Sequence, residues 1–274
     1  MGESVKNLIY CVILGCLGAL AIISSTYHTI QELQTPTISE IQQFDNNSDV
    51  LLVKNQRKII QKSRESAVQV YSASLEQQVA MQSGTYLTFL GRHFVLTTNH
   101  GIIGPCVFTR IYVSHVDEFA DCGRYIELNS DVDYALIEIH PLKNRTPIEI
   151  PKDMPTKYKQ WKQAFSIMNS MVYTGYPNST GPLTVGGKVA GYNDNDYLYA
   201  LSYAWSGSSG AGVFSQQGHY VGYILAVDVG EGLVGQPAVL ENVVLIVPAF
   251  RVKWEAALGL PPLEEVPEEE DTAN

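Results

Sequence analysis

Basic residues are scarce in this chain. Its 274 residues hold 18 Lys and Arg against 28 Asp and Glu, a net charge of −10. Between Lys6 and Lys54 there is no Lys or Arg at all. A chain so poor in positive charge has no basic footprint for a phosphate backbone, and nucleic acid is not expected as a partner. Cysteine is scarce as well, with four residues and no Cys-x-x-Cys or His/Cys cluster. No metal site is therefore expected, and nothing calls for another cofactor. Long apolar runs are almost missing too. The exception is residues 8–23, which carry no charge.

That run, extended by the small polar residues after it, just reaches membrane-spanning length over 8–27. The amino terminus and Lys6 precede it, so the charge bias places the short segment 1–7 inside and the rest across the membrane. No Ala-x-Ala cleavage site follows, which favours a single-pass anchor. The alternative is a signal sequence, cleaved to secrete the remainder. Cys11 and Cys16 lie within this run. Residues 28–64 read as a polar tether that ends in a short amphipathic helix, with Leu51, Leu52, Ile59 and Ile60 among Lys, Arg and Gln. At the other end, 259–274 is an acidic tail. It holds Glu264, Glu265, Glu268, Glu269, Glu270 and Asp271 and no base, and reads as solvated and disordered.

From residue 67 the pattern turns to short strands with turn residues between them. Strands are expected near 68–71, 84–90, 94–98, 107–113, 125–128 and 134–139. A Pro- and Lys-rich connector follows over 141–163. A second set is expected near 170–176, 183–192, 197–203, 211–215, 220–227 and 239–247. Many short strands mean a barrel or a sandwich. Phe250, Val252, Trp254 and Leu258 suggest a C-terminal helix over 248–258 that packs on the second set.

Three stretches carry chemistry. Gly207-Ser208-Ser209-Gly210 places a serine among glycines, Thr97-Thr98-Asn99-His100 ends a strand on a histidine, and Asp133-Tyr134-Ala135-Leu136 starts a strand on an acid. Alone, each is a common turn or strand end. Their chain order is His, Asp, Ser. An α/β-hydrolase needs Ser first and the elbow Gly-x-Ser-x-Gly, but Ala211 stands at the last glycine. Subtilisin order needs Asp before His.

The three motifs resemble those of chymotrypsin-like (trypsin-like) serine proteases. Their spacing, 33 residues from His100 to Asp133 and 76 from Asp133 to Ser209, is similar to that of Deg/HtrA-type or small viral and phage enzymes, here without a PDZ module. The resemblance covers about residues 65–258. It implies an all-β fold of two six-stranded antiparallel β-barrels, at about 65–145 and 164–247. It also implies His100 as general base, Asp133 as the residue that orients it, and Ser209 as nucleophile. Asp131 stays open as the acid. The backbone N–H groups of Gly207 and Ser209 would form the oxyanion hole. The specificity pocket would be lined by Tyr203, Leu225, Ala226 and Val227. With no acid at Tyr203, cleavage after small or apolar residues is expected, and Asp228 at the rim is the feature that would favour a basic residue instead. Cys106 and Cys122 either pair as a disulfide or remain two buried thiols. The other histidines (His28, His93, His115, His140, His219) read as structural or exposed.

The expectation is thus a membrane-tethered serine endopeptidase on the non-cytoplasmic side, acting on protein or peptide. Two other readings stay open. One is a catalytically silent protease fold that binds peptides or partners, and the other is a viral or phage processing protease.

Overall fold

The computed structural model describes residues 49–114, 116–143, 145–151, 165–231 and 237–263. The expected anchor at 8–27, most of the tether, the second half of the connector and the acidic tail beyond residue 263 lie outside the described residues. Among the described residues no helix is long and apolar enough to cross a membrane.

Helix α1 spans Asp49–Ser66 and runs without a loop into strand β1. Its buried positions, Ile59, Ser63 and Ser66, fall one turn apart along a narrow stripe. Polar contacts hold it as much as apolar ones. Ser63 donates to the Thr174 hydroxyl at 2.8 Å, and Lys62 donates to the Gly218 carbonyl at 2.9 Å.

The first sheet contains β1 (Ala67–Ala73), β2 (Val79–Phe89), β3 (Arg92–Thr97), β4 (Thr109–Val113), β5 (Glu118–Asp121), β6 (Arg124–Asn129), β7 (Tyr134–Ile139) and β8 (Ile148–Glu149). Its order is β5-β4-β1-β2-β3-β7-β6, with β8 added in parallel to β2. This corrects the expected closed six-stranded barrel, because eight strands form a half-barrel whose edges do not pair. Cys106 and Cys122, just beyond the paired ends of β4 and β5, are joined in a disulfide, with Cα atoms 5.4 Å apart. Across the open side, the hydroxyls of Thr109 in β4 and Tyr125 in β6 meet at 2.6 Å.

The second sheet closes fully. It contains β9 (Ser170–Gly175), β10 (Leu183–Tyr192), β11 (Leu198–Leu201), β12 (Gly212–Ser215), β13 (Tyr220–Glu231) and β14 (Pro237–Pro248), in the circular order β10-β11-β14-β13-β12-β9. Closure removes every free edge.

The strands between the barrels are buried on both faces. In β7, Ala135 and Ile137 face the core of the first sheet, while Tyr134 and Leu136 join an inter-barrel cluster. In β3, Val95 faces inward while Phe94 and Leu96 face the second barrel, where they meet Phe214 and Tyr223. Successive side chains point to opposite faces, so a strand covered on both sides reads as a continuous apolar run. The run Tyr134-Ala135-Leu136-Ile137 has this origin.

The expected C-terminal helix is replaced by two 3-10 turns, Ala249–Arg251 and Trp254–Gly259. Val252 and Trp254 enter the inter-barrel cluster, whereas Phe250 packs against the second barrel's core. One helix face cannot serve both. Val252 is extended, and the Trp254 indole N–H turns back to the Ala249 carbonyl at 3.1 Å. Further on, Arg92 donates to the carbonyls of Ala257 and Leu260, and Arg124 donates to that of Pro261. Both guanidinium groups pair with Glu138, whose side chain is 3% exposed.

Candidate active site

Strand β3 ends at Thr97, and the chain turns through Thr98 and Asn99 to present His100. Gln82 of β2 secures this exit. Its amide donates to the Thr98 carbonyl at 2.8 Å, and its oxygen accepts from the Thr98 hydroxyl. Asp133 sits at the head of β7, across the β3–β7 ladder. One of its oxygens accepts the His100 backbone N–H at 2.8 Å, and the other lies 2.6 Å from His100 Nδ1. The carboxylate therefore fixes both the position of the residue and the orientation of its ring. To do this Asp133 adopts φ +57°, a region that Asp and Asn enter more readily than most residues. Asp131 is exposed, and both bonds to His100 come from Asp133.

Ser209 lies in the loop between β11 and β12. A tight turn precedes it, in which Ser208 N–H donates to the Trp205 carbonyl at 2.8 Å. Gly207 and Gly210 have φ of +89° and +85°. Residue 210 must be glycine for a second reason, since a Cβ there would stand 2.2 Å from the Ser83 carbonyl oxygen. The two adjacent serines separate by environment. Ser208 is 1% exposed and its oxygen accepts the Trp205 N–H. Ser209 is partly exposed and lines an open cleft of about 600 Å³ together with His100 and Gly101. Among the described residues, no hydrogen bond links the Ser209 hydroxyl to the imidazole.

The carbonyls of this loop are occupied. Ser206 O accepts from Asn178 N at 2.7 Å, Gly207 O from Ser83 N at 2.9 Å and Ser208 O from Ala211 N at 3.1 Å. The N–H groups of Gly207 and Ser209 find no acceptor among the described residues. In a trans peptide the N–H points opposite to the preceding carbonyl. Holding Ser206 O on Asn178 thus turns the Gly207 N–H away from that contact. Two free, fixed donors beside a serine are the equipment for stabilising a developing oxyanion.

Of the expected pocket residues, Tyr203 and Leu225 are not among the residues that line this cleft, and the side chains of Ala226 and Val227 lie outside the described residues. Tyr203 is 54% exposed and stacks on Trp205 with ring centres 6.1 Å apart. Its carbonyl accepts the Tyr173 hydroxyl. Burial pushes that hydroxyl up to about 12, so Tyr173 remains a donor at any ordinary pH. Leu225 is half-buried and packs on the inter-barrel cluster. Ala226 and Val227 follow in the backbone of β13. His93 pairs with the Tyr86 hydroxyl at 2.6 Å, and burial lowers its pKa. His219 is exposed in the β12–β13 turn. Among the described residues no three His, Cys, Asp or Glu side chains converge as a metal would require.

Supporting residues of the site were not foreseen from the sequence. Besides Gln82, Ser83 donates from both N–H and hydroxyl to the Gly207 carbonyl, and the same hydroxyl oxygen accepts the Tyr176 N–H. Thr85 donates to the Gly210 carbonyl at 3.1 Å. The visible signal was the polar set Gln82, Ser83 and Thr85 inside an otherwise apolar strand.

No protein-family model matches the chain, and no curated protein matches it. Solved structures do. A serine endoprotease from Yersinia pestis aligns with TM-score 0.54 at 15% identity, over 70% of this chain and 61% of that one. The Rv3671c protease from M. tuberculosis, in its active form, aligns with TM-score 0.57 at 16% identity, over 78% of this chain and 88% of that one. The chain thus spans less than two thirds of the Yersinia enzyme. At these identities the likeness establishes the fold, a chymotrypsin-like arrangement of a barrel and a half-barrel.

Proposed function

We propose that the protein is a serine endopeptidase with His100, Asp133 and Ser209 as its triad. The observation that carries this reading is the two-point hold of Asp133 on His100 at the cleft that Ser209 lines. In the reaction, Ser209 Oγ attacks the scissile carbonyl carbon while its proton passes to His100 Nε2. The oxyanion formed is received by the N–H groups of Gly207 and Ser209. The C–N bond then breaks, and the leaving amine takes the proton from His100. Water repeats the sequence on the acyl-enzyme, with His100 again as base, and frees Ser209. Asp133 stays ionised throughout and stabilises the imidazolium.

The cleft offers a backbone partner for substrate. Strand β2 pairs with β3 only from Thr85 onward, which leaves residues 79–82 without a strand on that side. These residues line the cleft. An extended polypeptide can pair there. The resemblance implies a preference for small or apolar residues before the cut, in keeping with a cleft whose described lining carries no carboxylate to hold a basic side chain. The Cys106–Cys122 disulfide favours an oxidising compartment, in keeping with a tether through residues 8–27 and a catalytic domain on the non-cytoplasmic side.

The test is labelling of the full chain, in mild detergent, by a fluorophosphonate probe. Labelling that disappears in both Ser209→Ala and His100→Ala is the expected result. Folded wild type that takes no label, or His100→Ala that labels as fast as wild type, refutes the triad and favours a binding protein on a protease fold.

A further inference from the structure

A second groove of about 640 Å³ opens beside the cleft. The two share Ser179, whose hydroxyl donates to Met81 Sδ at 3.3 Å and so builds the wall between them. One flank of the groove is an aromatic platform on strands β1, β4 and β5. Tyr71, Tyr112 and Phe119 pack ring against ring, with centres 4.9–6.2 Å apart. Phe119 is 48% exposed, a large apolar surface on the outermost strand of the sheet. Tyr112 is pinned by its hydroxyl, which donates to Asp117 at 2.7 Å. A polar group stands within reach of the same space. Gln69 also lines the groove and is 2% exposed. Its oxygen accepts from Tyr71, but its amide nitrogen has no partner among the described residues. A buried amide donor left unpaired is costly, and an acceptor supplied by a ligand would relieve it.

We infer that this groove is a recognition site for the substrate segment downstream of the cut, and that it takes an aromatic side chain. The direction rests on the peptidase reading. The leaving nitrogen must receive its proton from His100, so the polypeptide after the scissile bond lies on the His100 side of the cleft. Residues 79–82 and Ser179 line the cleft together with His100, and Ser179 also lines the groove, so the groove is the continuation that we assign to this segment. An incoming aromatic ring would join the platform edge-on or offset, as the three resident rings already do. A peptide carbonyl would supply an acceptor for Gln69. The groove's chemistry suits a polypeptide rather than an anion, for its charged lining residue is an acid, Asp117.

The test uses the full chain carrying Ser209→Ala, in mild detergent, panned against displayed random peptides of about twelve residues, long enough at about 3.3 Å per residue to cross both clefts. Selected peptides are expected to share an aromatic residue. In this background, Phe119→Ser should weaken their binding about tenfold, Phe119→Tyr should restore it, and Leu90→Ser, an exposed change past the opposite end of β2 from residues 79–82, should bind as the parent does. Wild type should cut the selected peptides on the amino-terminal side of the aromatic residue. Selection without aromatic enrichment, unchanged affinity in Phe119→Ser, or cuts after the aromatic residue would each overturn the inference. Fluorophosphonate labelling judges the peptidase reading separately. Labelling without aromatic selection removes the groove and keeps the enzyme, whereas selection without labelling keeps the groove as a peptide site and removes the enzyme.

Discussion

Replacing Asp133 by Asn tests the site at its most constrained point. The carboxylate accepts two hydrogens at once, from the His100 backbone N–H at 2.8 Å and from Nδ1 at 2.6 Å. An amide has one acceptor and one donor end. If its oxygen keeps the backbone N–H, its NH2 faces Nδ1 and forces the ring's proton onto Nε2. Nε2 then cannot take the Ser209 proton. If the amide flips, the ring regains the useful tautomer, but the backbone N–H meets the NH2 and loses its partner, at a cost of about 1–3 kcal/mol. In either arrangement the ionised partner of the developing imidazolium is gone, which removes a charge-assisted bond of about 1.5–3 kcal/mol. Together these give about 3–6 kcal/mol, or a loss of about 10²–10⁴ in rate. The fold should survive, because Asn accepts the φ of +57° that Asp133 adopts. The assay is the second-order rate of fluorophosphonate labelling, read beside a melting curve. A variant that melts like wild type and labels within threefold of it would refute the role given to the His100–Asp133 pair.

Two further changes probe the scaffold. Glu138→Gln breaks a buried junction with Arg92 and Arg124, and the partial exposure of both arginines reduces the usual cost to about 2–3 kcal/mol, or about 5–10 °C in the melting temperature. A shift under 1 °C would show that the C-terminal segment does not depend on this clamp. Burial pushes the Glu138 carboxyl up, but the hydrogen bonds and charges of Arg92 and Arg124 outweigh it and hold the group below the usual carboxylate range. Its contribution is therefore full above about pH 4.3, the value for an unfolded Glu, and is lost as pH falls through the lower folded value. Melting temperature followed down to pH 3 should show this acid limb in wild type and a flatter one in Glu138→Gln. Changing both Cys106 and Cys122 to Ser opens a loop that spans 16 residues and should cost about 3 kcal/mol. Reductant should lower the melting point of wild type and leave that of the double variant unchanged.

The sequence displayed the second barrel better than the first. All six of its strands announce themselves as runs between turns, and its closure is what the family resemblance implied. In the first sheet, β5 is the short, mostly exposed Glu118-Phe119-Ala120-Asp121, and β8 is two residues long. Neither has room for a period. The contact across the open side of the half-barrel is a hydroxyl pair, Thr109 with Tyr125, which no local pattern encodes. The tail at 248–258 misled for a clear reason. Its apolar residues 250, 252 and 254 repeat at two, not at 3.6, and serve two different clusters. At the site, the motifs around His100, Asp133 and Ser209 stood out because each lies close to a strand end, and the structure sets His100 against Asp133 and Ser209 in the same cleft as His100. The direction of the Tyr203 ring, stacked on Trp205, was not legible, because residue offsets along the chain do not fix which way a side chain leaves its loop.

The Ser209 loop belongs by sequence to the second barrel, yet its geometry is set by the first. The Gly207 carbonyl is held by the N–H and hydroxyl of Ser83, and the Gly210 carbonyl by Thr85, both on β2. Gly210 approaches so near the Ser83 carbonyl and Thr97 that no side chain fits between. Meanwhile Gly210 N–H and Ile224 N–H tie the loop into its own barrel through Ile224 O and Ala211 O. His100 follows β3, the neighbour of β2, and Asp133 heads β7, the next strand in the same sheet. Ser209, His100 and Asp133 are thus referred to one sheet, although Ser209 arrives from the other half of the chain, and in the proposed mechanism these are the serine, the base and the acid. Errors of docking between the barrels would otherwise appear directly in the distance from Ser209 to His100, where a misplacement of about 1 Å can cost a hundredfold in rate. Polar residues inside β2 are what remove that sensitivity, which accounts for Ser83 and Thr85 occupying buried positions that an apolar side chain would fill more cheaply.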